Sequence, residues 1–125
     1  MRKHRDKYVR ETYFKVFDSF MRNHTKMSTE AIISAMMDAQ APRFFVSFQT
    51  AQRVVSQMVR GITPRSANKN KLLMYEELFR RYIEQGGDGT SYKILEKILR
   101  QPAPSLYINR STMRTIVYRS MKKSY

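Results

Sequence analysis

Cysteine is absent from this 125-residue sequence, acids are scarce, and no apolar run is long enough to span a bilayer. Without cysteine there is no disulfide framework, no thiolate metal site and no thiol nucleophile, and the expectation is a cytoplasmic protein. The start, "MRKHRDKYVRETYF", is charged and runs into no apolar core segment, so it does not read as a signal peptide. Glycine is rare as well: three of the four glycines fall at 86, 87 and 89, where they mark a loop.

What is abundant is positive charge. Lysine and arginine number 24 against 10 aspartates and glutamates, for a net charge of +14. Residues 1–62 hold 11 basic and 5 acidic side chains and residues 63–125 hold 13 and 5, so the excess is not confined to a tail. A self-repelling field of this size points to an anionic partner, nucleic acid before others. The plainer alternative is a basic surface that only solubilises.

Sliding the chain along itself until Ala41 meets Ala103 lays "APRFFVS" (41–47) on "APSLYIN" (103–109) without a gap. Apolar positions then agree on both sides. Val54 and Val55 meet Ile116 and Val117, Ile32 and Ile33 meet Ile94 and Leu95, and Tyr13 and Phe17 meet Tyr75 and Phe79. Agreement at one fixed offset, from Tyr13 to Val55 in the first copy, identifies an internal duplication.

Each copy reads as three helices. The first spans about 8–22 and, in the second copy, 70–84, with apolar stripes at helical spacing. The second begins after Ser28, a good N-cap, and after "GGDGTS", where Thr90 or Ser91 can cap. Pro42 and Pro104 end it, because proline disfavours a helical residue before it. The third opens at Ser47 or Asn109, and Gly61 closes the first of these. The expected fold is all-α: a tandem duplication of a three-helix unit, 1–62 and 63–125, about six helices sharing one core in a compact domain.

Catalysis finds little support. His4 and His24 lie in polar segments without a Ser–Asp arrangement, and the acids are scattered rather than clustered for a metal. No nucleotide-binding or zinc-protease motif is present, and no cofactor is expected. "QGGDGTS" has the composition to cradle a phosphate, but an ordinary turn into a helix explains it better, and the first copy has "NHTKMS" there. The sequence reads as a non-enzyme.

The stronger pattern is a helix, a turn and a helix with a polar, basic outer face, repeated. Arginine, glutamine and asparagine on such a face can pair with guanine and adenine edges in a major groove. The candidates in copy one are Gln49, Gln52 and Arg53, with Arg60 on phosphate; in copy two they are Arg110, Ser111, Arg114 and Thr115, with Arg119 and Lys122 on phosphate. This pattern resembles the helix-turn-helix class of DNA-binding proteins, although the connection from Ala39 to Phe48 is longer than the short turn of that class. The resemblance implies duplex DNA as partner and a second helix of each pair that enters the groove. The paired AP peptides also resemble those of small bacterial proteins of unsettled function. Arg2, Lys3 and Arg5 form a basic N-terminal arm suited to phosphates or a minor groove.

Two functions therefore compete. One is a DNA-binding regulator or accessory factor of a phage or mobile element. The other is an assembly factor whose basic face meets an acidic protein surface or RNA, using Tyr8, Tyr107, Tyr118 and Tyr125 as exposed aromatics.

Overall fold

A computed structural model describes residues 2–22, 28–65, 68–89 and 91–123, with the side chains of Phe20, Lys122 and Lys123 outside the description. Six helices form: α1 (Arg2–Arg22), α2 (Thr29–Asp38), α3 (Phe48–Val59), α4 (Lys69–Glu84), α5 (Tyr92–Leu99) and α6 (Arg110–Lys123). Among the described residues there is no β-strand, and no helix is long and apolar enough to cross a membrane. The all-α architecture and the two matched sets of three helices agree with the sequence. α3 and α6 begin at equivalent positions of the repeat, Phe48 and Arg110, and α1 and α4 end at equivalent positions, Arg22 and Glu84.

The helix starts follow their caps. Ser28 accepts a hydrogen bond from the Ala31 amide and Ser47 from the Thr50 amide, each satisfying a donor of the first turn. Asn68 does the same for α4 through the amides of Asn70 and Lys71, so the helix expected from residue 70 begins at Lys69. Ser91 stands at the N-cap of α5 without capping it; its hydroxyl donates to Asp88 Oδ1 instead. Thr90, the alternative cap, lies outside the described residues.

α1 departs from expectation at its start. Arg2, Lys3 and Arg5 belong to its first turns rather than to an extended arm. The apolar stripe places the start near Tyr8, whereas the helix runs back to Arg2, with Lys7 pairing to Glu11 one turn on.

The compact units also differ from the sequence halves. One unit is built from residues 1–40 and 104–125, hence α1, α2 and α6; the other is residues 41–103, hence α3, α4 and α5. Each unit is closed by the third helix of the other half. In the first, α1 packs on α2 and α6, and α2 on α6; in the second, α3, α4 and α5 pack on one another. Two features accompany the exchange. Ala39 and Ser47 have extended backbone, and the residues between them, Pro42 included, form no helix. And α3 and α6 bury equivalent stripes, Ala51, Val54 and Val55 against Met113, Ile116 and Val117, so either can close a pair of helices of this pattern.

The AP peptides bound the second unit. Ala41 and Ala103, equivalent residues of the two copies, exchange both backbone hydrogen bonds at 2.9 and 3.0 Å. Beyond Ala41, Phe44 and Val46 are buried while Phe45 between them is half-exposed, the alternation of an extended strip. Arg81 of α4 stands over the Phe44 ring, 4.9 Å from its centre. It also donates to Gln101 Oε1 and to the Pro102 carbonyl and pairs with Glu77. One half-buried arginine thus ties α4 to both ends of the unit.

The glycine loop is wound around Tyr82. The Tyr82 hydroxyl oxygen accepts the amides of Gly89 (2.7 Å) and Ser91 (3.2 Å). A Cβ at residue 87 would overlap the Tyr82 ring, so the approach of Gly87 admits only glycine. Gly89 adds a φ of +100°. Two of the amides a phosphate would need are therefore given to a tyrosine.

Candidate nucleic-acid interface

On α3, Gln49, Arg53 and Arg60 are exposed and Gln52 is half-buried, on the side away from Ala51, Val54 and Val55. Arg60 donates to the Ser56 carbonyl, and Arg53 makes no hydrogen bond or ion pair among the described residues. The helix contains no acid.

On α6 the expected face is split. Ser111, Thr115 and Arg119 are exposed, and Arg119 makes no ion pair among the described residues. The Thr115 hydroxyl turns back to the Ser111 carbonyl. The backbone of Lys122 lies in α6. Arg110 and Arg114 are committed within the first unit. Arg114 forms a two-pronged pair with Glu30 of α2, Nε to Oε1 at 2.8 Å and a terminal nitrogen to Oε2 at 3.0 Å. Arg110 donates to Glu30 Oε2 at 3.0 Å, to the Glu30 carbonyl and to Ser34 Oγ at 2.8 Å. The expectation that both read base edges gives way to a structural role: they fasten α6 to α2. The reason is Glu30, which reaches both guanidiniums from the first turn of α2.

Hydrogen bonds from Arg114 and then Arg110 hold the Glu30 carboxyl below its ordinary value of 4.5. A carboxyl depressed in the folded state contributes stability above its unfolded pKa and loses it as pH falls through the folded one. Glu77, lowered by Arg80 and Arg81, acts in the same direction. The midpoint of urea unfolding, followed by circular dichroism, is therefore expected to drop between pH 5 and pH 3. Glu30→Gln should shrink that drop, leaving the share due to Glu77. An unchanged drop in the variant would remove Glu30 from the account.

Two signals escaped the sequence reading. All ten acids lie between Asp6 and Asp38 or between Glu76 and Glu96, so residues 39–75 and 97–125 contain none. α3 and α6 sit within these acid-free stretches, and so do Lys69 and Lys71 in the first turn of α4. The second signal is Tyr92, which is 53% exposed, whereas Tyr8 and Tyr107 are half-buried and, of the expected tyrosines that are described, only Tyr118 is exposed. Tyr125 and His24 lie outside the described residues. Among the described residues no three histidine, aspartate or glutamate side chains gather where they could hold a metal ion. No family model, curated protein or solved structure matches the chain.

Proposed function

We infer that the protein binds nucleic acid, duplex DNA before RNA, through the outward faces of α3 and α6. The observation that carries this reading is the placement of exposed, uncommitted arginines, Arg53 and Arg119, within the acid-free stretches 39–75 and 97–125. A cation that makes no intramolecular ion pair keeps more of its attraction for phosphate than one already held by a carboxylate. Gln49 and Gln52 on α3 supply the polar groups for base edges. Each unit contributes one such helix, and both are tethered in one chain. Arg110 and Arg114 act behind the face, positioning α6. Arg2, Lys3 and Arg5 add charge from the start of α1.

The test is charge reversal by face. The double variant Arg53→Glu/Arg119→Glu should lose about a hundredfold in affinity for a short random duplex, roughly tenfold for each cation turned against phosphate. Lys15→Glu/Lys93→Glu carries the same change of charge on exposed positions of α1 and α5 and should lose only a few-fold. Equal losses would mean diffuse attraction with no binding helix. Competition by structured RNA that exceeds duplex DNA would replace the polymer in this reading.

A further inference from the structure

The second unit contains an open cleft of about 510 Å³ lined by Pro42, Arg43, Phe48, Glu96, Leu99 and Arg100. Beside it, Tyr92 lies one turn before Glu96 on α5, and its ring meets Phe48 at 6.4 Å between centroids with the planes tilted by 57°. Arg43 is held in place: its Nε donates to the Phe44 carbonyl and its guanidinium stands 5.9 Å from the centre of the Phe45 ring.

The duplication supplies an internal comparison. The repeat equivalents of Phe48, Tyr92, Glu96, Arg43 and Arg100 are Arg110, Glu30, Ser34, Ser105 and Asp38. In the first unit Arg110 fills this place, its terminal nitrogens on Ser34 and Glu30 at 2.8 and 3.0 Å. One unit is thus closed by an ion pair. The other lacks that pair, carries two aromatic rings in its place, and sets an arginine at two further positions of its rim.

A stable core does not require these changes. Tyr92 is mostly exposed and its contact with Phe48 is a surface contact, while Arg43 and Arg100 bring two positive charges to one cleft. An exposed ring beside two guanidiniums suits a flat, aromatic, anionic ligand. A cationic ligand, which an aromatic pair with one carboxylate would otherwise attract, is repelled by the arginines. The volume is in the range of small-ligand sites. Glu96 is the remaining wall, and an ionised carboxylate accepts hydrogen bonds only. It favours a base that offers adjacent donors, as guanine does through N1–H and N2–H.

The geometry points to this cleft as a binding site for an unpaired nucleotide: the base stacks on Tyr92, buttressed by Phe48, Glu96 takes the donor edge, and Arg43 and Arg100 take phosphate. Phe48 opens α3, but Tyr92, Glu96, Arg43 and Arg100 lie outside the α3 and α6 faces assigned to duplex DNA, so variants at these residues let either reading fail alone. A free nucleotide and an unpaired nucleotide within a strand share this chemistry.

The full-length protein is titrated into fluorescein-labelled oligothymidine strands with and without one central guanine, and anisotropy is read. The guanine-bearing strand should bind more tightly. Tyr92→Ala should weaken it about tenfold, in line with the loss of one base–aromatic stack, while duplex affinity stays within about twofold. Glu96→Gln should remove the preference for guanine. Displacement of the strand by millimolar guanosine monophosphate assigns the site to free nucleotides, and persistence of the strand assigns it to nucleic acid. Equal binding of both strands by wild type, or unaltered binding by Tyr92→Ala, overturns the site.

Discussion

Phe44→Ala is expected to destabilise the fold by about 3–5 kcal/mol, and Phe45→Ala by about 1 kcal/mol. The residues are neighbours of the same type in the same peptide, so the difference comes from placement alone. Phe44 is fully buried, and its ring carries the Arg81 guanidinium at 4.9 Å. Removing it leaves a cavity and takes the platform from an arginine that holds Glu77, Gln101 and the Pro102 carbonyl. Phe45 is half-exposed, and the Arg43 guanidinium stands over its ring at 5.9 Å from the centre. Urea unfolding of the two variants measures both values. Comparable losses would mean that the AP peptide is uniformly packed and that Arg81 does not depend on Phe44.

The same peptide shows what a sequence can convey. Ser28 and Ser47 announce their helices because capping is local chemistry, a hydroxyl within reach of an amide in the next turn. The stripes Val54–Val55 and Ile116–Val117 announce buried faces for the same reason. Which pair of helices each face closes on is not local. Equivalent stripes fit either pair, and nothing in the pattern of either stripe tells the two pairs apart.

Glu30 is the sharpest case at the candidate site. In the sequence it is one acid in a helix's first turn, where the helix dipole alone would justify it. In the fold it engages Arg110 and Arg114 from the far end of the chain and holds both in ion pairs. Arg81 likewise reads as one more surface cation and is a half-buried tie. Long-range ion pairs leave no periodic trace, whereas the acid-free stretches around α3 and α6 were visible throughout.

The second large effect concerns salt. Replacing condensed counterions on DNA makes affinity fall with a logarithmic slope of about −0.9 per phosphate neutralised. Arg53, Arg60, Arg119 and Lys122, with Arg2 and Lys3 at the start of α1, amount to about six phosphates and a slope near −5. Between about 50 and 200 mM salt, affinity for random duplex should then fall about a thousandfold. An evenly basic protein without a binding face would show a shallower slope that no pair of residues controls.

The decisive measurement is that slope in wild type and in Arg53→Gln/Arg119→Gln. Glutamine removes the charge without adding repulsion, and both positions are exposed and outside every ion pair described above. The account predicts a slope shallower by about two units in the double variant, one for each lost phosphate contact. A slope that stays at the wild-type value would contradict the assignment of α3 and α6 as the binding helices.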